Sequence, residues 1–309
     1  MLTRKNHAQT NNIIQGKNNQ YPKTLKKIAK LKQNNNMIIQ NLRDIGEEWK
    51  AWQIENCANI VALQKIGNGE RVVHGNFCKQ RLCAICAWRK SIKWVAQTKP
   101  VLNKINLTRQ NPRYIFITIT IKNIYANEVN EALNNLIKAW DRFCKLKDIK
   151  EAFDGMIRST EITYNAYKKT YHPHIHALIL CNEKYFKETY ISQKKLQKLW
   201  KQSAKLKYNP SVDIRAVTTE NGIPEKATIE TLKYAIKPTA YKIDPCVTQT
   251  LLYALKNRKL ISYTGIFSKI RKELKLEDIE ESTLLDRQVT TEPVILYEFT
   301  PAGWEIINE

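Results

Sequence analysis

Hydrophobic and polar residues alternate in several short stretches of the chain, and a period of two predicts β-strands. Residues 113–123, RYIFITITIKN, would place four isoleucines on one face of a strand and Thr118 and Thr120 on the other. Residues 155–165 and 171–181 predict two more strands. Because only a short polar turn separates these two, we expect them to form an antiparallel hairpin.

Helical periodicity fills the stretches between the predicted strands. Hydrophobic residues recur every three or four positions in residues 127–147 and 192–206, which predicts two amphipathic helices. Residues 211–217, SVDIRAV, predict another strand, and residues 224–238 predict one further helix. Strand, helix, strand, strand, helix and strand is the order of a ferredoxin-like fold. The pattern therefore indicates the α+β class, with a ferredoxin-like antiparallel sheet as its palm.

The strongly basic composition indicates the kind of partner. The 309 residues include 51 Lys and Arg against 29 Asp and Glu, a formal net charge of +22 that attracts polyanions, nucleic acid first among them. An anionic membrane surface is the alternative, but no stretch is long and apolar enough to span a bilayer, and none resembles a signal peptide. We therefore expect a cytoplasmic protein whose seven cysteines serve as thiols or metal ligands rather than in disulfides.

Composition also divides the chain into four segments. Residues 1–45 are rich in Lys, Asn and Gln and predict a basic, mobile N-terminal arm with some helix near residues 25–31. Residues 46–105 contain clustered cysteines and tryptophans and predict a small zinc module followed by a connecting helix. Residues 106–244 hold the predicted sheet. Residues 245–309 predict a mixed, partly helical C-terminal extension of unknown role.

Three of the five histidines lie at alternate positions of residues 170–180, TYHPHIHALIL. Side chains alternate between the two faces of a strand, so His172, His174 and His176 would share one face. Neighbouring positions on that face are about 6.6 Å apart, which lets two imidazoles, but not three, bind one ion. Because Pro173 lacks a backbone N–H and favours the beginning of a strand, we expect the pair to be His174 and His176. The alternative is a row of surface histidines that binds nothing.

The neighbouring strand offers a carboxylate to the histidine pair. Glu161 can join the ion if the hairpin register turns it to the imidazole side, and a shift of one residue would turn it away. Two neutral imidazoles and a carboxylate leave coordination positions open for phosphate oxygens and water. We expect such a site to bind Mg²⁺ or Mn²⁺ at a nucleic-acid substrate rather than a structural zinc ion.

The predicted helix of residues 224–238 has one polar and one apolar face. Glu230, Tyr234 and Lys237 recur at spacings of four and three residues on the polar face. The apolar residues on nearly the opposite side, which we expect in the core, are Ile229, Leu232 and Ile236. Taken alone, a polar helix face of this kind is more often solvated surface than a catalytic site.

Beside a metal site, the same polar face has a possible chemical role. The phenol of Tyr234 can attack a phosphodiester and form a covalent intermediate. Because the ordinary pKa of a phenol is about 10, the attack needs charge on the phosphate to be stabilised, and a metal ion can do this as a Lewis acid. Glu230 could position or deprotonate a water molecule or the phenol, and Lys233 or Lys237 could hold phosphate.

Cysteine spacing predicts a second, structural metal site. The stretch NFCKQRLCAICAWRKS holds Cys78, Cys83 and Cys86, and Cys57 upstream is the natural fourth ligand, with His74 as the alternative. Four thiolates around Zn²⁺ make a closed tetrahedral site, which stabilises a small module with little hydrophobic core. The alternative is a set of buried free cysteines. The remaining cysteines are expected to be core residues: Cys144, Cys181 and Cys246.

Five motifs in this order give the chain a family resemblance: NFCKQRLCAICAWRKS, YIFITITIKN, MIRSTEITYN, HPHIHALI and ETLKYAIKP. Together they resemble the rolling-circle plasmid replication initiators of the Rep type, within the HUH endonuclease superfamily, over about residues 57–238. One departure is Ala84, where relatives often carry proline in the cysteine motif.

The resemblance implies a role for each predicted site residue. It implies that residues 106–244 form the HUH endonuclease domain and that His174 and His176 bind a divalent ion there. It also implies that Tyr234 is the nucleophile and that Glu230 activates water when replication terminates.

The resemblance also implies a reaction and partners. The expected function is sequence-specific, metal-dependent nicking and joining of DNA at the double-strand origin through a 5′-phosphotyrosine intermediate. The partners would be plasmid origin DNA, both double-stranded and as an extruded single-stranded hairpin, with host helicase and DNA polymerase. Two alternatives stay open: a non-enzymatic, zinc-stapled nucleic-acid-binding regulator, and an HUH transposase or relaxase with the same chemistry on another DNA.

Overall fold

The computed structural model describes residues 21–232, 244–279, 284–285 and 292–307. The helices in these residues are α1 (Lys23–Asp44), α2 (Glu48–Glu55), α3 (Ala84–Thr108), α4 (Val129–Lys145), α5 (Lys147–Ala152), α6 (Gln193–Ser203), α7 (Glu225–Leu232), α8 (Pro245–Ala254) and α9 (Gly265–Glu273). The strands are β1 (Ile60–Ile66), β2 (Gly69–Gly75), β3 (Tyr114–Thr120), β4 (Phe153–Asn165), β5 (Thr170–Cys181), β6 (Val212–Ala216), β7 (Ile261–Thr264), β8 (Val294–Thr300) and β9 (Gly303–Ile306). No helix among them is long and apolar enough to cross a membrane.

The chain divides into two compact units at Lys90 and again at Asp278. Unit 1 contains the described residues up to Lys90 and from Ile279 onward, and unit 2 contains Ser91–Asp278. This division differs from the four segments expected from composition. The reason is strand pairing, because β8 belongs to the same sheet as β1 and so the C-terminal residues do not form a separate extension.

Unit 1 is built on a four-stranded antiparallel sheet in the order β2-β1-β8-β9. The central strand β1 is apolar, with Val61 and Leu63 buried, and it pairs with β8 through Val61 opposite Tyr297. Trp304 of β9 donates a hydrogen bond from Nε1 to the carbonyl oxygen of Leu25 at 3.2 Å. This contact fixes β9 against α1.

Helix α1 occupies about half of the segment that composition predicted to be a mobile arm. Its first residue follows Pro22, and the backbone N–H of Thr24 donates to Glu70 Oε2 at 3.0 Å, which stabilises the N-terminal end of the helix. Apolar residues at helical spacing lie fully in the core, including Leu25 and Ile28. The abundance of Lys and Asn concealed this periodicity. Residues 1–20 of the predicted arm lie outside the described residues.

Unit 2 is built on a five-stranded sheet in the order β6-β3-β5-β4-β7, and every neighbouring pair is antiparallel. The antiparallel sheets combined with helices confirm the mixed α and β class, and the predicted hairpin of β4 and β5 is present. Strand β5 begins at Thr170, earlier than Pro173 suggested. The proline stands just outside the regular pairing of β5 with β3, which covers residues 174–180, and its carbonyl oxygen accepts a hydrogen bond from the N–H of Ile121 at 3.5 Å.

Helices α4 and α6 supply the aromatic core of unit 2. Trp140 and Phe143 of α4 are almost fully buried, and Phe143 meets Trp200 of α6 edge to face at 6.0 Å. The indole of Trp200 donates to the carbonyl oxygen of Thr120 at 2.9 Å, at the end of β3. This bond ties the helical layer to the strand that lies beside the histidine-bearing strand.

We expect replacement of Ile28 by alanine to destabilise the protein by about 2–4 kcal/mol, because the side chain is fully buried in a packed helix rather than carried on a mobile arm. Urea unfolding measures the loss. The matched control is Lys27→Ala on the exposed side of the same helix, with an expected change within about 0.5 kcal/mol. Equal stabilities of the Ile28→Ala variant and the wild type would show that α1 is not packed in solution.

Candidate active site and metal centres

The hairpin of β4 and β5 brings one carboxylate and two imidazoles together. Glu161 lies directly opposite His174 in the register, and Ser159 lies opposite His176. Oε2 of Glu161 is 3.3 Å from Nε2 of His174 and 3.1 Å from Nε2 of His176. The carboxylate is 5% exposed and His174 is 7% exposed. The register therefore places Glu161 on the imidazole side, the condition that the sequence left open.

Hydrogen bonds on the far side of each ring orient the two imidazoles. Nδ1 of His174 donates to the carbonyl oxygen of His172 at 3.1 Å, and a carbonyl can only accept. A neutral His174 therefore carries its proton on Nδ1 and turns the lone pair of Nε2 toward Glu161. Nδ1 of His176 is 2.9 Å from Oγ1 of Thr118 on β3. Partners of this kind behind the ring are typical of metal-binding histidines.

The arrangement fits a divalent cation. The ligand atoms of Glu161, His174 and His176 lie within 4.8 Å of one another, so they could hold one metal ion. Oε2 of Glu161 and Nε2 of each of the two imidazoles converge on one point, and two neutral imidazoles with a carboxylate are a common ligand set for a divalent metal ion. Three protein ligands also leave coordination positions for a substrate.

The third histidine of the row stays apart from this group. Nδ1 of His172 lies 2.7 Å from Oδ1 of Asn123, and the His172 ring centre lies 5.5 Å from that of His174. Burial, with a further contribution from His174, lowers the pKa of His172 below the usual value. The two adjacent histidines expected from strand spacing are thus the ones that meet Glu161.

Helix α7 carries one more predicted site residue to the neighbourhood of these strands. The helix packs against β4 and β5 and is described as far as Leu232, and Glu230, two residues before that point, is exposed. The predicted nucleophile and phosphate-binding residues lie outside the described residues: Tyr234, Lys233 and Lys237. Glu230 is therefore the described member of the predicted polar face.

The buried side of α7 differs from the expected one. Ile229 is 40% exposed, although the sequence placed it in the core, whereas Leu232 is buried as expected. The rest of the buried side is small, with Thr228 and Thr231 donating to the carbonyl oxygens of Pro224 and Ala227. Small residues with satisfied hydroxyls let a helix approach closely, which explains why a threonine face rather than the isoleucine is turned inward.

Four cysteines form the second cluster, which lies in unit 1. The sulfur atoms of Cys57 and Cys86, and those of Cys78 and Cys86, are 3.6 Å apart. All four sulfurs, including that of Cys83, lie within 4.8 Å of one another and could hold one metal ion. Zinc bound to four thiolates at about 2.3 Å places the sulfurs about 3.8 Å apart, so the cluster has nearly the size of such a site.

Backbone and side-chain N–H groups point at the sulfurs. The N–H of Lys79 donates to Cys86 Sγ at 3.2 Å, and Lys79 adopts φ of 57°, a left-handed conformation that tightens the turn after Cys78. Nδ2 of Asn35 donates to Cys83 Sγ at 3.5 Å. Burial alone would raise the pKa of Cys83, but hydrogen bonds from the other three thiols outweigh it and hold that pKa well below the usual value. Hydrogen bonds among the thiols raise the pKa of Cys78 and that of Cys86, so within the cluster the thiolate, the form that binds metal, is favoured at Cys83.

A partly buried lysine of α1 completes the surroundings of this cluster. Nζ of Lys32 donates to the carbonyl oxygen of Cys57 at 2.8 Å and also to Oδ1 of Asn59. Burial lowers the pKa of Lys32 to about 8, although the nearby thiols oppose the shift. Sequence reasoning missed Lys32 and Asn35 because both stand in the segment assigned to a mobile arm. The signal that could have found them was the helical spacing of the apolar residues around them.

One histidine and three cysteines for which sequence analysis also made predictions lie outside the two clusters. His74, the alternative fourth ligand, lies exposed on β2 and is not part of the cluster. Cys181 is buried, as expected of a core residue, and Cys144 is partly buried. Cys246 is exposed, which contradicts its expected core position, because it stands in the first turn of α8 on the solvent side.

We expect the Cys83→Ser variant to lose zinc affinity by roughly a hundredfold or more, because an alcohol does not supply the fourth thiolate. Zinc content after dialysis against a competing chelator measures the effect. The exposed Cys246→Ser is the matched control and should keep one equivalent. Equal zinc retention by the Cys83→Ser variant and the wild type would contradict a four-thiolate site.

Comparison with known proteins gives this arrangement a family context. The family model described as Replication protein matches residues 69–302. Protein rep of Streptococcus pneumoniae serotype 2 is 33% identical over 238 residues, 75% of this chain and 74% of the relative. Protein rep of Lactiplantibacillus plantarum is 31% identical over 287 residues, 86% of this chain and 90% of the relative. Protein rep of a Bacillus species is 34% identical over 259 residues, 76% of this chain and 84% of the relative.

The family match covers the carboxylate and histidine group and most of the cysteine cluster. Residues 69–302 include Glu161, His174 and His176 and three of the four cysteines. No solved structure matches the chain significantly. The family model spans more than half of the chain, and the chain therefore belongs to the Replication protein family of plasmid replication initiators.

Proposed function

We propose that the protein is a rolling-circle replication initiator that nicks and rejoins one DNA strand at its plasmid origin. The reaction is metal-dependent and passes through a 5′-phosphotyrosine intermediate on Tyr234. The observation that carries the proposal is the meeting of Glu161, His174 and His176 on two paired strands against which α7 packs. Tyr234 follows two residues after the last described residue of that helix.

The strand order supports the assignment of the sheet to an HUH palm. Strands β3 and β4, which α4 separates in sequence, lie on either side of β5, and β6 pairs with the outer edge of β3. This is the order of a split β-α-β, ferredoxin-like sheet. The catalytic domain of this proposal corresponds to the part of unit 2 that holds this sheet, and the cysteine cluster of unit 1 corresponds to a structural zinc site.

The cation of the palm site is assigned to Mg²⁺ or Mn²⁺. Glu161, His174 and His176 would hold it, and when bound it would act as a Lewis acid on the scissile phosphate. The residues around the three ligands fix their orientation before DNA arrives. Thr118 holds the ring of His176 and the backbone of β5 holds that of His174, so little reorganisation is needed on binding.

The cleavage step uses the phenol of Tyr234. Its oxygen attacks the scissile phosphorus, a phosphorus–oxygen bond to the tyrosine forms, and the bond to the 3′ oxygen breaks. The phenolic proton passes through solvent to the departing oxygen, which leaves as a free 3′-hydroxyl that primes a DNA polymerase. The products are one 5′-phosphotyrosyl linkage and one primer end, so atoms and charge balance. Lys233 or Lys237 holds a neighbouring phosphate of the substrate.

Rejoining and termination release the tyrosine. A 3′-hydroxyl can attack the phosphotyrosine in the reverse of the cleavage step, which restores the phosphodiester and the phenol. When replication ends, a water molecule attacks the same phosphorus and gives a proton to Glu230. The bond from phosphorus to the tyrosine oxygen breaks, the phenol regains its proton through solvent, and the DNA leaves with a 5′-phosphate. Glu230 is exposed in the last turn of α7, where it is accessible to water and to DNA.

The DNA substrate has two forms in this proposal. The protein first binds the double-stranded origin through its positive charge, then cuts a strand extruded as a hairpin loop, because a base-paired strand hides its phosphate from the required geometry. A host helicase then unwinds the duplex, and a host DNA polymerase extends the free 3′-hydroxyl.

We expect Tyr234→Phe to abolish a covalent protein–DNA adduct, because the variant lacks the attacking oxygen. Single-stranded hairpin oligonucleotides that tile the DNA around the gene, incubated with Mn²⁺ and resolved on a denaturing gel, reveal the adduct. Tyr253→Phe removes an exposed phenol from α8 and is the matched control. An adduct that still forms with the Tyr234→Phe variant would contradict the assignment of Tyr234 as the nucleophile.

The metal ligands are tested on the same oligonucleotides. The double variant His174→Ala/His176→Ala should form no adduct while its duplex affinity stays within about twofold of the wild type. Salt-sensitive retention of DNA without any adduct in the wild type would instead identify a non-enzymatic binder.

We expect Glu230→Ala to form the adduct normally but to hydrolyse it roughly a hundredfold more slowly, the usual scale for losing a general base. Release of oligonucleotide from the purified adduct measures the rate. Glu225→Ala, at an exposed position in the first turn of the same helix, should leave the rate unchanged. Equal hydrolysis by the Glu230→Ala variant and the wild type would remove this carboxylate from the mechanism.

A further inference from the structure

The exposed side of helix α1 begins with a row of lysines. Lys23, Lys27 and Lys30 are exposed and follow one another at helical spacing. The helix contains no acidic residue before Asp44, its last residue. A helix surface of this charge is complementary to a polyanion.

Further along the helix, amides replace the lysines. Gln33, Asn36 and Gln40 are exposed, and Met37 between them is 46% exposed. Nε2 of Gln40 donates to Oδ1 of Asp44 at 2.8 Å, an exposed contact that a ligand can replace. An amide side chain offers a donor and an acceptor side by side, which matches the major-groove edge of adenine, and a methionine suits the methyl group of thymine.

The opposite side of α1 is committed to the protein core. Leu25, Ile28 and Leu42 are at most 1% exposed, and Trp304 binds the backbone at Leu25. The helix therefore cannot insert an apolar face into a membrane as a basic amphipathic helix would. The exposed surface of α1 carries charged lysines, which suit phosphates, followed by neutral amides, which suit base edges. This combination favours duplex DNA as the partner.

We propose that α1 is a DNA-reading helix that lies in the major groove of double-stranded DNA. The lysines bind phosphates on the rim of the groove, and the amides contact base edges, with a preference for adenine and thymine. The inference rests on the proposed function for its context and deepens it, since it locates the duplex recognition that must precede nicking of an extruded strand.

The dimensions of α1 fit this role. An α-helix rises 1.5 Å per residue, so Lys23 to Lys30 and Gln33 to Gln40 each span about 10 Å. The major groove is about 12 Å wide and admits a helix, and base pairs follow one another at about 3.4 Å along the axis. The amide segment therefore covers about three base pairs.

The test begins with the wild-type chain and a library of random 30-base-pair duplexes. Sequences that the chain enriches serve as the selected probe, and an unselected mixed-sequence duplex is the reference. In the variant Gln33→Ala/Asn36→Ala/Gln40→Ala, preference for the selected probe should fall at least tenfold while affinity for the reference stays constant. An unchanged preference, or a library in which nothing is enriched, overturns the proposal.

The lysines are tested by the salt dependence of binding. The variant Lys23→Ala/Lys27→Ala/Lys30→Ala should bind both probes more weakly, and the slope of log affinity against log salt should fall by about 2.7, or about 0.9 for each lost phosphate contact. The matched control removes three exposed lysines from the α4 and α5 region, Lys138, Lys145 and Lys150. An equal decrease of the slope in this control overturns the proposal, because any surface lysines would then serve.

Two further measurements distinguish this proposal from a membrane-binding role of α1 and from the proposed nicking function. Binding to phosphatidylglycerol vesicles that is lost in the lysine variant, together with unchanged duplex binding, would identify a membrane surface and overturn the DNA assignment. Adduct formation on single-stranded hairpins should be intact in both α1 variants. Absence of the adduct in the wild type would contradict the nicking function, but the duplex measurements would still decide the role of α1.

Discussion

The register between β4 and β5 decides which side chains can meet on the larger sheet. Side chains of residues that stand opposite each other on paired strands point to the same face of the sheet, and here Glu161 stands opposite His174. A slip of one residue would turn the carboxylate to the opposite face of the sheet and leave the two imidazoles without an acidic partner. Thr118 on β3 depends on the same alignment, because it stands opposite His176. The proposed chemistry thus depends on the backbone pairing of β5 with β3 on one side and with β4 on the other.

The cysteine cluster shows a different way of building a site. Its ligands come from the end of α2, the turn before α3 and α3 itself, while Lys32 and Asn35 reach it from α1. A metal ion there would join three segments that are separate in sequence. Lys32 beside the four thiols would offset negative charge that a divalent ion neutralises only in part. Metal binding would therefore stabilise the unit that holds α1.

Local spacing was enough to predict some features, and long-range pairing determined the rest. The histidine row, the cysteine motif and the hairpin follow from residues close in sequence, and they could be predicted. The side to which Glu161 points depends on the exact turn after β4, which periodicity does not fix. Residues of α1 were assigned to a mobile arm because Lys and Asn dominate the composition, although buried leucines and isoleucines repeat at helical spacing. Ile229 was misplaced because α7 packs through threonines.

The pairing of β1 with β8 has a consequence for the order of events during synthesis. Gln64 Nε2 donates to the carbonyl oxygen of Glu292, a contact that spans 228 residues of sequence. During translation, the edge of β1 that pairs with β8 stays unpaired until β8 has been made. By that time every described strand of unit 2 has already been translated. Unit 2 can therefore fold first, and unit 1 is completed only after the last strands have been made. In a nascent chain, the histidine site precedes the finished cysteine-bearing unit.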